Sequence, residues 1–110
     1  MTSYDPGKQH CVVYYLHEAA VAEYDRLHGE VWPEVLADLQ ERGIFDYSIF
    51  RRGNLAIGVF RVREGLSEAS TISTVDGVVR KWSELMATMI ERNVDDQGIE
   101  LVAPRIFRMD

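Results

Sequence analysis

The chain has 110 residues, 46 % of them hydrophobic and 27 % charged, with a formal net charge of -6 and a pI near 5.0. That is enough chain to bury one core without covalent staples, and the composition excludes a disordered segment. The acidic balance disfavours nucleic acid and anionic membrane surfaces as partners, because the general field repels phosphate.

Residues 1 to 8, with Ser3, Asp5, Pro6 and Gly7, read as a loose leader to a single domain that spans 1–110. It lacks the basic-then-apolar pattern of a secretory signal, and no later window approaches the roughly 18 consecutive apolar residues of a membrane span, so the expected setting is cytoplasmic. Gln9 to Leu16 is a β-branched and aromatic run of strand length, apolar enough for burial in mid-sheet. It holds Cys11, the single cysteine, which reads as a small core hydrophobe and leaves no internal disulfide. His10, His17 and His28 are too scattered to suggest a zinc site, and no metal is expected.

A helix follows from Glu18, with Val21, Tyr24, Leu27 and His28 on one stripe. Gly29 loosens it and Pro33 cannot donate a backbone hydrogen bond, so the helix is expected to break near Gly29 and restart with Pro33 in a first turn. The second part carries Val35, Leu36 and Leu39 and stops at Arg42-Gly43. Ile44 to Arg51 reads as a strand with Phe45, Tyr47 and Ile49 on one face and Ile44, Asp46, Ser48 and Phe50 on the other. Arg52-Gly53-Asn54 supplies a turn, and Leu55 to Val62 pairs back as a hairpin partner. Gly58 in mid-strand marks a close approach of a ligand or neighbour, or a packing accommodation for a helix above.

From Leu66 to Arg92 the pattern is helical, interrupted at Asp76-Gly77, with Val78, Trp82, Leu85, Met86 and Met89 as its apolar stripe. Asn93 to Gly98 is a polar connection. Glu100 to Met109 reads as a closing strand in which Pro104 indicates an edge or a bulge. The order β, α, β, β, α, β is that of an α+β, ferredoxin-like antiparallel sheet with its helices on one face. Apolar side chains on both faces of the first three strands leave one face to be covered, so a symmetric homodimer is expected.

Candidate chemistry gathers around the broken helix. Tyr24 and His28 are four residues apart and share a face, so a phenol and an imidazole point the same way. The break leaves His28 at a helix end, from which its ring can enter a pocket and exchange a proton near neutral pH. Glu34 and Asp46 rank lower as partners for His28 or a ligand hydroxyl, since an adjacent carboxylate would favour the charged imidazole.

The run Tyr24-x-x-x-His28-x-x-x-Trp32-Pro33-Glu34, then Gly43-Ile44-x-x-Tyr47-Ser48-Ile49-Phe50, Asn54-Leu55 and Trp82-x-x-x-Met86, resembles the L-rhamnose mutarotase family over nearly the whole chain. The resemblance implies a dimeric α+β barrel and cofactor-free exchange of the α and β anomers of a free aldose. It implies His28 as the catalytic proton-transfer residue and Tyr24, Tyr47 and Trp82 as substrate-binding residues. The family's tryptophan pair is reduced here to Trp82, flanked by Lys81 and Ser83. With one aromatic wall missing, L-fucose or a less related aldose stands beside L-rhamnose as a substrate. Two other functions fit the same fold: a cofactor-independent monooxygenase or cyclase, and a non-catalytic small-molecule-binding domain.

Overall fold

The computed structural model describes residues 4 to 64 and 77 to 110. Its elements are β1 (Gln9–Leu16), a 3-10 turn (Glu18–Ala20), α1 (Val21–His28), α2 (Pro33–Glu41), β2 (Ile44–Arg52), β3 (Leu55–Val62), α3 (Val78–Met89) and β4 (Ile90–Arg92). The four strands form one sheet in the order β2-β3-β1-β4, and every pairing is antiparallel. This is the ferredoxin-like arrangement, with the first helical segment split in two. No helix among the described residues is long and apolar enough to cross a membrane.

The split has a local cause. Pro33 opens α2 at its first position, where its missing amide has no intrahelical partner to lose, and its ring disfavours helical backbone at the residue before it. Trp32 is accordingly extended, at φ -61° and ψ 134°. The α1 helix therefore ends with His28, and Gly29 caps it.

Alternation sets the two faces of the sheet. Tyr14 and Leu16 of β1 and Ala56 of β3 pack against Tyr24, Leu27, Val35, Trp82, Met86 and Met89 from the three helices. A second cluster joins Ile44, Phe60 and Val62 to Tyr4 from the N-terminal leader. Tyr4 is 1 % exposed and its hydroxyl bonds the Glu100 carboxylate, so the leader read as loose is tied down at that residue.

Three expectations need correction. The fourth strand is Ile90–Arg92, running directly out of α3, rather than Glu100 to Met109. The C-terminal segment reaches the sheet only near Val102, which bridges Val12, while Ile106, Phe107 and Met109 are exposed. Pro104 cannot donate to a ladder, which is consistent with pairing that stops at Ala103, whose amide bonds the Cys11 carbonyl. The stripe of α3 is rotated: Val79 and Ser83 are buried with Trp82, Met86 and Met89, and Val78 is exposed. The helical expectation for residues 66 to 76 lies outside the described residues.

The third correction concerns β2. Between Phe45 and Ser48 the register slips, so Asp46 and Tyr47 together oppose Phe60 alone. Asp46 has φ +50°, a left-handed conformation that Asp tolerates better than most residues. The bulge inverts alternation on its N-terminal side. Ile44 joins Tyr47 and Ile49 on the helix-covered face, and Phe45 does not.

Candidate active site

A cavity of about 330 Å³ opens between the helices and the covered face of the sheet. His28, Tyr24, Tyr47 and Trp82 all line it. The sequence therefore nominated four residues that lie on one wall system although they come from α1, β2 and α3. Glu34 and Asp46 do not line it; both are exposed, and Asp46 pairs with Arg61 at 3.2 Å.

His28 is held on three sides. Its Nδ1 lies 2.9 Å from the Tyr24 carbonyl oxygen. A carbonyl only accepts, so Nδ1 is the donor and the neutral ring keeps its lone pair on Nε2. The ring stacks on the Tyr24 phenol, with centroids 4.1 Å apart and 28° between planes, and meets the Trp82 indole edge-on at 5.5 Å. Trp82 is fixed in turn by Trp32, edge-on at 5.0 Å. Burial holds the His28 pKa below its ordinary 6.5, against the opposing effects of the Tyr24 carbonyl and the Asp25 carboxylate. Asp25 is itself engaged by Arg51, whose Nε lies 2.7 Å from its Oδ1.

The phenols form a connected set. The Tyr14 hydroxyl hydrogen-bonds the Tyr24 hydroxyl. Desolvation raises both, Tyr24 to about 12, so both phenols keep their protons at neutral pH. Tyr47 is likewise raised by burial and by the proximity of Tyr14, with Arg42 acting against both. Gly58 makes room for Tyr47: a Cβ built there would lie 3.4 Å from Tyr47 Cε1 and 3.2 Å from Val12 Cγ2. Of the two readings of that glycine, a close neighbour is the one observed, and the neighbours are Val12 and, next, Tyr47.

Four further polar residues on the wall escape a reading of sequence pattern. Tyr14 sits in a run that looks like plain strand core. Ser83 is buried on α3 beside Trp82. Asp38 and Arg42 pair across one turn of α2, with Arg42 Nε 3.1 Å from Asp38 Oδ2. Their spacing of four, in step with Val35 and Leu39, is the signal that puts the pair on the inner face. Among the described residues no cluster of His, Cys, Asp and Glu has the form of a metal site.

Such an arrangement can exchange protons with a small polyhydroxylated ligand. It offers one neutral base, phenols that both donate and accept, and an indole for an apolar face.

A family model described as L-rhamnose mutarotase matches residues 9–109. The L-rhamnose mutarotase of Bacteroides thetaiotaomicron is 33 % identical over 98 residues, covering 87 % of this chain and 92 % of that protein. That of Acidiphilium cryptum is 37 % identical over 97 residues, with 86 % and 90 % covered. The L-fucose mutarotase of Xanthomonas campestris pv. campestris is 38 % identical over 82 residues, with 69 % and 66 % covered. The crystal structure of L-rhamnose mutarotase from Formosa agariphila superposes with a TM-score of 0.71 at 22 % identity, covering 94 % of this chain and 100 % of that one, a likeness of fold. A family match over nearly all of the chain, joined by relatives above 30 % identity over most of its length, means that the chain belongs to the L-rhamnose mutarotase family of isomerases.

Proposed function

We propose that this chain interconverts the α and β anomers of a free 6-deoxy-aldose, L-rhamnose or a close relative such as L-fucose, by acid-base catalysis centred on His28. The observation that carries the reading is the convergence of a neutral imidazole and a phenol pair on one cavity of monosaccharide size, near the lower end of the ~300–1,000 Å³ typical of small-molecule pockets.

Ring opening removes the proton from the anomeric hydroxyl, breaks the C1–O5 bond and delivers a proton to O5. His28 Nε2 takes the first proton, the Tyr24 hydroxyl, bonded to Tyr14, supplies the second, and Tyr47 orients a sugar hydroxyl from the same wall. Rotation about C1–C2 turns the other face of the aldehyde toward O5. The same steps in reverse then close the ring as the other anomer, with every proton returned. Positioned acid-base groups contribute typically about 100- to 10,000-fold, enough for a reaction that already proceeds in water. Trp82 lies against the apolar face of the sugar and its C6 methyl.

The polar complement of the wall supports this reading over a monooxygenase or cyclase acting on aromatic substrates, which would be served by a wall with little besides His28 to bond hydroxyls. On the uncovered face of the sheet, Val13, Ile57 and Phe50 adjoin one another in register, with Phe50 61 % exposed. We assign this face to a second copy of the chain. The expected solution state is a homodimer, checked by analytical ultracentrifugation. The lone half-buried Cys11 fits a cytoplasmic setting.

Saturation transfer between anomeric protons, measured by NMR over a panel of aldoses, tests the catalytic reading. Acceleration with a 6-deoxy sugar that disappears in His28→Ala supports it. Binding without acceleration identifies a non-catalytic module, and no effect of any sugar returns the question to the oxygenase.

A further inference from the structure

On α2 a carboxylate is buried where the helix otherwise presents Val35 and Leu39 to the interior. Asp38 is 7 % exposed, and Arg42, one turn on, holds its Oδ2 at 3.1 Å. Both line the same cavity as His28.

Such a pair is poorly explained by stability. Taking the Asp38 carboxylate out of water carries a desolvation cost that its partly exposed arginine partner only partly offsets, and an apolar residue of similar volume serves a core as well or better. A short surface helix with an apolar stripe has no need of it. Its wall position supplies a different reason. Arg42 fixes the orientation of the carboxylate, while two carboxylate oxygens offer about four acceptor sites, more than one contact with arginine uses.

A shared lining places the pair within the site. Asp38 and Arg42 border the same cavity as Tyr47, the hydrogen-bonded Tyr14 and Tyr24, and His28, while Trp82 and Met86 keep other parts of the wall apolar. A monosaccharide whose anomeric carbon sits at His28 presents its remaining ring hydroxyls to the other polar groups of that wall.

We infer that Asp38, oriented by Arg42, accepts hydrogen bonds from ring hydroxyls remote from the anomeric carbon and so determines which aldose this enzyme takes. The inference rests on the mutarotase reading and deepens it. Asp38 is here a specificity-determining residue, and Arg42 positions it.

The test pairs the protein with sugar analogues that each lack one ring hydroxyl. Anomer exchange and equilibrium binding are measured for the parent aldose and for each analogue, with wild type, Asp38→Asn and Arg42→Gln. With wild type, one analogue is expected to lose about 10- to 100-fold in kcat/KM through KM, the worth of a hydrogen bond to a charged group. Asp38→Asn is expected to raise KM for the parent sugar by a similar factor, to leave kcat within about twofold, and to show no further loss with that analogue. Arg42→Gln gives the same selectivity change, smaller in size.

A uniform loss across all analogues, as a merely structural residue would cause, overturns the inference. So does a wild type indifferent to every single-hydroxyl deletion, a result that needs no variant to fold. Should wild type bind the sugars without accelerating their exchange, the mutarotase reading fails, and the inference stands or falls on whether Asp38→Asn removes the binding preference. A wild type that binds none of the sugars overturns both.

Discussion

The imidazole of His28 donates from Nδ1 to the backbone oxygen of Tyr24, 2.9 Å away, and stacks on the ring of the same residue. One helical turn therefore sets both the tautomer and the plane of the imidazole proposed to transfer protons. It does so with a spacing of four, at a helix end that Pro33 enforces five residues further on.

That arrangement fixes the pH dependence. Burial depresses the His28 pKa below 6.5, so in the folded protein Nε2 is an unprotonated base at neutral pH. The kcat/KM profile is expected to be flat at neutral pH and to fall by a single protonation whose midpoint lies below 6.5. Tyr24, near 12, brings no loss through mildly alkaline pH. Stability carries the same sign. Above about pH 6.5 the folded and unfolded imidazoles are both neutral. As pH falls, the unfolded chain takes up the proton first, and stability declines until pH passes the depressed folded value, then levels. NMR titration of the His28 ring protons beside the rate profile checks both statements; an acid midpoint above 6.5 contradicts them.

Tyr14 supports Tyr24 from the sheet, which separates two variants that look alike in sequence. Tyr14→Phe removes the hydroxyl bonded to Tyr24 and leaves Tyr24 its own proton. It is expected to cost about 1 kcal/mol of stability and roughly tenfold in kcat/KM, with substrate still bound. Tyr24→Phe removes the group proposed to deliver the proton and also leaves Tyr14 without its hydrogen-bond partner. Its rate loss is expected to be about 100-fold or more. Anomer-exchange rates and thermal unfolding of the two variants give the comparison, and equal rate losses would show that Tyr24 acts only as packing.

Much of this was legible in the chain because it follows local rules. The break at Gly29 and Pro33, the stop at Gly43, the hairpin turn at Gly53-Asn54 and the common face of Tyr24 and His28 each depend on a few neighbouring residues. What sequence pattern missed depends on register or on distant partners. Period-2 alternation assigned Ile44 to the wrong face because nothing in Ile44-Phe45-Asp46-Tyr47 announces a bulge. Ile90–Arg92 reads as the end of a helix because its strand character comes from pairing with Tyr15 and Leu16. Asp38 looks like one more charge on a helix surface until α2 and α3 close over the sheet.

The bulge yields its own test. Asp46 at φ +50° shifts the register that turns Ile44 and Tyr47 toward the cavity together. Asp46→Val puts a β-branched residue in the left-handed region and is expected to cost about 1–2 kcal/mol of stability. It is also expected to raise KM, because relieving the strain favours a regular ladder that would turn Ile44 out of the cavity wall and put Phe45 in its place. Asp46→Gly, which accepts that φ freely, is expected to stay within about 0.5 kcal/mol of wild type and to keep KM, since the exposed ion pair it loses to Arg61 contributes little. Denaturant midpoints and sugar affinity of the two variants decide it; a normal KM in Asp46→Val would uncouple the bulge from the site.

Gly58 addresses Tyr47 from the neighbouring strand. Its backbone is ordinary for a strand, so alanine is sterically limited only by its surroundings, Val12 Cγ2 at 3.2 Å and Tyr47 Cε1 at 3.4 Å from the new Cβ. Val12 is β-branched and stiff at χ1. The Val12 contact is the one tighter than ordinary packing, so the strand backbone at Gly58 must give, whereas Tyr47 at 3.4 Å is at ordinary contact distance. The smaller entropy of the unfolded alanine chain offsets only part of that overpacking, and Gly58→Ala is expected to cost about 1–2 kcal/mol of stability. It is also expected to raise KM several-fold, as the shifted methyl and backbone press on the Tyr47 ring. The acid limb set by His28 should not shift, because the displacement leaves α1 untouched. A Gly58→Ala protein with unchanged KM for every aldose would mean that Tyr47 fills the wall without touching substrate.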